Sequence, residues 1–416
     1  RAEVPPPREH RTSVVYVSPL KALAVDVERN LRAPLAGLQQ ESIRAGHAPP
    51  DITVGVRTGD TPADERRRLA RTPPDILITT PESLYLILTS AARESLRGVR
   101  TVIVDEVHAL AGSKRGAHLA LSLERLAALT DVDPQRVGLS ATVRPTAEVA
   151  RFLGGDRPVE VIDAPGDKRL EITLSVPVED MAELTAAAGE ATDDPTVAAS
   201  IWPHVEVKIV ELIRAHRSTL VFVNSRRLAE RLTARLNDIA ALDSDSAGPP
   251  TTAATQQFLA RAHHGSVSKE QRALIEDDLK AGRLPAVVAT SSLELGIDMG
   301  AVDLVIQVES PPTVSSALQR IGRAGHQVGA VSKGTIMPKH RADLISATVV
   351  AHRARLRAIE ALRVPENPLD VLAQQIIAAV AMDDWPAAEF LALVRRSAPF
   401  ARLPDAAWTA VLDMLA

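Results

Sequence analysis

Short runs rich in β-branched residues alternate with helical patterns along this chain, and they do so in two series, which leaves few architectures open. The first series falls at residues 14–17, 52–56, 76–79, 102–104 and 137–139, and the second at 219–223, 286–289, 304–308 and 335–337. Apolar strands separated by helices imply parallel sheets covered by those helices, because a parallel crossover needs a long connection. Two series mean two α/β domains, in keeping with a length of 416 residues. A stretch rich in Gly, Pro and Asp at 153–168 reads as the connector. Ala-, Thr- and Asp-rich segments at 184–200 and 240–256 read as exposed insertions. From about Arg341 only helical patterns remain. The stretches 368–381, 386–396 and 404–415 each open on proline, which suits the first helical position because its missing N–H costs nothing there.

The chemistry concentrates where strands end. In TVIVDEVHAL (101–110) a β-branched run delivers Asp105 and Glu106 to its carboxyl end, with His108 two residues on. That edge of a parallel sheet is where α/β enzymes place ligand chemistry. One carboxylate is suited to holding Mg²⁺, usually through water, and the other to orienting an attacking water. Taken alone, the pair is also compatible with a solvated acidic turn. Ser140-Ala141-Thr142 follows another strand, and QRIGRAGH occupies 319–326.

Three strand-to-helix junctions share one design: Ser18-Pro19-Leu20-Lys21, Thr80-Pro81-Glu82-Ser83 and, more loosely, Asn224-Ser225-Arg226. A hydroxyl is placed to cap the helix, proline to start it, and a helix N-terminus can grip phosphate through its N–H groups and dipole. Capping alone accounts for any one of them; the repetition favours contact with a nucleic-acid strand. This matters because the net charge is −4 and aromatics make up 2% of the chain. A polyanion must then be held by local groups, and a base-stacking platform is excluded as the main identity. Arg57-Thr58-Gly59-Asp60 after a strand offers Thr58 to a phosphate and Gly59 for backbone freedom, or is a plain turn. His263-His264-Gly265-Ser266 also ends a strand. Two histidines suggest a metal, yet no third ligand stands at useful spacing. With no cysteine there is no disulfide, Cys-ligated zinc or iron–sulfur cluster. A cytoplasmic setting is expected.

These motifs, with SPLKAL (18–23), TTPESL (79–84), AHHGS (262–266) and TSSLELGID (290–298), resemble the superfamily 2 helicases and, within them, the large helicase-related family. The resemblance covers nearly the whole chain, in the family's order. It implies two tandem RecA-like domains, at 1–165 and 166–345, followed by the helical start of a winged-helix domain at 346–416. It implies an ATP-dependent motor using Mg²⁺ on single-stranded DNA or an RNA–DNA hybrid, moving 3′-to-5′ and serving DNA repair. Asp105 would hold the metal and Glu106 would orient water, with His108 and Gln319 in the catalytic set. Arg323 would act as the arginine finger, with Arg320 in a structural role, and His326 stands where many relatives carry a second arginine. Gly296 and Asp298 would approach the nucleotide. Ser18, Pro19, Lys21, Thr58, Gly59, Thr80, Pro81 and Ser83 would contact the strand from the first domain. Asn224, Ser225, His264, Gly265, Thr290 and Ser291 would do so from the second. Ser140 and Thr142 would couple the two sites.

One part of that pattern is missing: no G-x-x-x-x-G-K-[ST] run occurs in the 416 residues. The expectation is a chain cut before its phosphate-binding loop, with a first sheet lacking one strand, an exposed sheet edge and little ATPase activity of its own. The competing expectation is a degenerate nucleic-acid-binding protein that does not hydrolyse ATP. A nuclease motor subunit finds no second acidic cluster in its support.

Overall fold

The computed structural model describes residues 10–163, 169–178, 201–245, 258–296, 300–325 and 330–416. Asp298, His326, the insertion at 184–200 and most of the one at 240–256 lie outside the described residues. The chain forms two compact units, one of Arg1–Asp163 with Ala361–Ala416 and one of Ala164–Glu360. The architecture is α/β, with two all-parallel sheets, and a helical region closes the chain.

In the first unit, β1 (Val14–Val17), β2 (Val54–Arg57), β3 (Ile76–Thr79), β4 (Thr101–Val104) and β5 (Gln135–Gly138) pair in the order β2-β3-β1-β4-β5. The register is level: Val17 stands opposite Thr79 and Val104, Arg57 opposite Thr79, and Val104 opposite Gly138. Five strands therefore end along one line. Val15, Val17, Val102 and Val104 are buried against Leu84, Ile87, Leu119, Leu123 and Phe152 of the covering helices. Strand limits follow the ladder and not the β-branched runs: β5 starts at Gln135, whose N–H donates to Arg100 O at 2.9 Å, two residues before the apolar run. Among the described residues β5 is an edge strand, and Leu139 just beyond it is 46% exposed.

The second unit holds β6 (Leu170–Leu174), β7 (Thr219–Phe222), β8 (Ala260–His263), β9 (Ala286–Ala289), β10 (Leu304–Val308) and β11 (Ser332–Met337), ordered β6-β11-β10-β7-β9-β8 and parallel throughout. The edge strand β6 is absent from the strand runs read in the sequence, because its alternating half-burial gives it no continuous apolar signal. The helix Arg226–Asp245 extends into the segment read as an insertion, since Ala240, Ala241 and Leu242 simply continue it. Arg341–Arg355 packs on Ile172 and Ile336 within this unit.

The closing helices Leu369–Val380, Ala387–Arg396 and Asp405–Leu415 pack on the first unit. Leu372, Ile376, Phe390, Val394, Phe400 and Trp408 share a core with Ala117 and Leu121 of helix Lys114–Leu129. Their prolines 368, 386 and 404 occupy the extended N-cap position, one residue earlier than the first helical turn. No helix among the described residues is long and apolar enough to cross a membrane.

A buried ion cluster ties these closing helices to β5. The Glu124 carboxylate is fully buried and meets Arg136 of β5 at 2.8 Å, Arg157 at 3.0 Å and Arg396 of the closing helices at 3.5 Å. Removing one partner of a buried ion set leaves a desolvated charge, which is costlier than losing an exposed pair. Glu124→Ala is therefore expected to lower unfolding stability by about 3–5 kcal/mol. Lys21→Ala, which breaks the half-exposed pair with Asp60, is expected to cost about 1 kcal/mol or less. Urea unfolding of both variants measures the contrast, and equal losses would contradict it.

Candidate functional site

Level strand ends bring the motifs of the first unit to one edge. Asp105 begins where β4 stops, and its N–H still donates to Val17 O at 2.9 Å. The next residue, Glu106, takes a left-handed conformation at φ 46° and ψ 46°, and the helix Val107–Ala111 starts directly after it. A non-glycine residue pays about 1–2 kcal/mol for that conformation, and such strain gathers at functional sites. The turn is pinned by the Glu106 N–H donating to Asp105 Oδ1 at 2.9 Å and by the Val107 N–H donating to Leu139 O at 2.9 Å.

Tyr16 on β1 lies close to the Asp105 carboxylate. Burial, and then that carboxylate with Glu106 near it, push the phenol's pKa well above its ordinary value. Sequence reasoning missed Tyr16. The signal was its place two residues before Ser18 on the strand next to β4.

His108 connects the acidic turn to Ser140-Ala141-Thr142. Its Nδ1 lies 3.2 Å from Ser140 Oγ and 3.5 Å from Glu106 Oε2, and it accepts the Ala141 N–H at 3.3 Å. Ser140, Ala141 and Thr142 are all exposed.

The helix starts differ from the capping expectation. Ser18 is fully buried and its hydroxyl donates to Leu20 O at 3.0 Å. Leu20 is the N-cap of helix Lys21–Arg44, so Pro19 precedes the helix and no side chain caps it. Thr80 is the N-cap of Pro81–Leu88 with Pro81 in the first turn, yet its hydroxyl turns to Ser83 Oγ at 3.2 Å and caps nothing. In both places the N-cap side chain accepts from no helix N–H, and a helix start of this kind suits an anion. Ser225 does cap, accepting the Leu228 N–H at 3.2 Å. Thr58 is buried and accepts the Asp60 N–H at 3.3 Å, so it shapes its own turn, with Gly59 under the Lys21 ammonium. Lys21 itself pairs with Asp60 at 2.5 Å.

The second unit gathers its motifs around Glu294. That carboxylate receives Arg320 Nε at 3.0 Å and Ser316 Oγ at 2.6 Å, while its backbone oxygen accepts Arg323 Nη2 at 2.8 Å. Arg320 is buried, also donates to Gln307 and Asn224, and covers the Phe222 ring at 5.4 Å. It is an internal brace. Gln319 and Arg323 are half-buried at the end of helix Val314–Ile321, and Gly296 has a positive φ of 21°. His263 and His264 turn to different partners: His263 to Ser292 at 2.9 Å and Glu276 at 3.0 Å, His264 to Glu230 at 2.6 Å. Gly265 lies beside the Arg226 guanidinium, and Thr290 precedes the short turn Ser291–Leu293. Among the described residues no group of three or more His, Asp or Glu could hold a metal together.

The DEAD/DEAH box helicase family matches residues 3–150, the helicase conserved C-terminal domain matches 205–327, and the winged helix domain of the large helicase-related protein matches 352–416. The Lhr helicase/probable uracil glycosylase of Mycolicibacterium smegmatis is 59% identical over 97% of this chain. The Lhr helicase/uracil glycosylase of Escherichia coli is 55% identical over 97% of this chain. This chain spans only 27% of the length of each of them. A solved structure of Mycobacterium smegmatis helicase Lhr bound to ssDNA and AMP-PNP superposes with a TM-score of 0.88 at 61% identity, covering 97% of this chain and 50% of that one.

The strain at Glu106 gives a direct test. Glycine adopts the left-handed region freely but loses about 0.5–1 kcal/mol through its looser unfolded chain. Glu106→Gly is therefore expected to match the parent's stability or exceed it by about 1 kcal/mol in urea unfolding. A clear loss of stability would show that the carboxylate holds the fold together.

Proposed function

Because this chain belongs to the large helicase-related family of DEAD/DEAH-box helicases, we propose that it is the motor part of an ATP-dependent DNA helicase. It would couple ATP hydrolysis to movement along single-stranded DNA, 3′-to-5′, in cytoplasmic DNA repair. The observation that carries this reading is the single sheet edge on which an acidic pair, an exposed Ser-Ala-Thr loop and two helix starts without side-chain caps stand together.

Each group on that edge has a task. Asp105 would hold Mg²⁺. This ion takes one or two carboxylates and completes its shell with water and substrate phosphates. Tyr16 and the Glu106 N–H would fix the orientation of Asp105. Glu106 would direct the attacking water, and His108 would carry its position to Ser140 and Thr142. Bound ATP supplies the phosphoryl group, and Arg323 with Gln319, Gly296, Asp298 and His326 would meet it from the second unit. The strand would pass Ser18, Pro19, Lys21, Thr58, Gly59, Thr80, Pro81 and Ser83, and then Asn224, Ser225, His264, Gly265, Thr290 and Ser291. Buried Ser18 and Thr58 would contribute through the backbone they hold, not through free hydroxyls. An RNA–DNA hybrid is a further substrate that the same grip on phosphates would accept.

The 416 residues contain no phosphate-cradling loop of the G-x-x-x-x-G-K-[ST] type. Tested as they stand, they are expected to bind single-stranded DNA in a salt-sensitive manner. Phosphate release in the presence of ATP, Mg²⁺ and strand is expected to stay at background. DNA-stimulated release that disappears in Glu106→Gln would overturn that expectation. The second reading is a nucleotide-independent strand-binding protein. It predicts equal strand affinity with and without AMP-PNP.

A further inference from the structure

The helix Pro81–Leu88, whose start is one of the proposed strand grips, also walls a cavity of about 410 Å³ in the first unit. The helix starting at Lys114 and the closing helix Leu369–Val380 form its other sides, through His118, Val371 and Gln374. This volume lies within the range of small-molecule sites.

The charges around the cavity are matched in pairs. Lys114 meets Asp370 at 2.8 Å, and Arg115 forks onto Glu82, with Nη2 to Oε2 at 3.0 Å. A lining balanced in this way does not select a phosphate or a metal ion. It suits a neutral group with polar edges. The apolar surfaces point the same way. Tyr85 and His118 pack edge to face with ring centroids 4.5 Å apart, and burial holds the His118 imidazole below its ordinary pKa, hence neutral at pH 7. Leu86 is 53% exposed on the same wall, a large apolar side chain left open beside the strand grip. Carboxylates at the rim and the Gln374 amide offer hydrogen bonds to a planar heterocycle. The chain has two tyrosines and 2% aromatics overall, which excludes a stacking platform but leaves room for a single base site.

We propose that this cavity takes one unstacked nucleobase of the single strand whose phosphates pass the Thr80–Pro81 helix start. The inference rests on the strand-binding reading above and adds a contact to the base where that reading has only contacts to the backbone.

The test uses the whole chain and two fluorescent strands of equal length, an oligothymidylate and a fully abasic strand with the same phosphates. Binding is read by anisotropy. The parent chain is expected to favour the base-bearing strand by about tenfold, the size of one stacked base. Leu86→Ser, at a half-exposed position that should leave the fold intact, and Tyr85→Leu are each expected to bring that ratio towards one while abasic binding stays unchanged. If Tyr85→Leu loses its native circular dichroism, Leu86→Ser decides alone. An undiminished ratio in folded variants would overturn the base site while leaving strand binding standing. Failure of the parent chain to bind either strand would overturn the strand-binding reading, and the base site with it.

Discussion

The level parallel register around β1 and β4 is the constraint on which the rest of the first unit depends. Val17 pairs with both Thr79 and Val104, so the residues after β3, β1 and β4 emerge side by side. Slipping β4 by one residue would send Val102 and Val104 out of the core and turn Asp105 away from Tyr16. Packing and chemistry therefore reinforce the same register. The apolar side chains that bury the strands also set the position at which the acidic pair appears.

Much of this was legible in the sequence because strand ends carry strong local signals. The β-branched run before Asp105 announces a buried strand, and the hydroxyl-proline pairs at 18–19 and 80–81 announce helix starts. Two kinds of feature were hidden. β6 is only half-buried, so its pattern never becomes a continuous apolar run. Side-chain direction was the other. Nothing local says that the Ser18 hydroxyl turns inward to Leu20 O, or that Thr58 accepts from its own turn. Tyr16 is brought near Asp105 by pairing between strands 84 or more residues apart in sequence, a distance no local pattern reports. The Glu124 cluster is hidden for the same reason, since it draws arginines from three separate segments.

Electrostatics explain how a chain of net charge −4 can serve a polyanion. Some of its arginines are committed internally: Arg136 and Arg157 to Glu124, and Arg320 to Glu294. Backbone N–H groups at helix starts can also meet phosphates, and these need no surplus of positive charge. The same commitment separates Arg320 from Arg323. Arg320 is enclosed by Glu294, Gln307 and Asn224, whereas Arg323 is half-buried and donates to the Glu294 backbone oxygen.

The most direct test of the account is photocrosslinking of the whole chain to a single strand carrying 5-iodouracil, with the attachment sites mapped by mass spectrometry. The account predicts first-unit crosslinks confined to the carboxyl edge of the sheet, around residues 18–21, 57–60 and 80–86. Crosslinks clustering at the opposite edge, around residues 97–101 and 133–135, would contradict it.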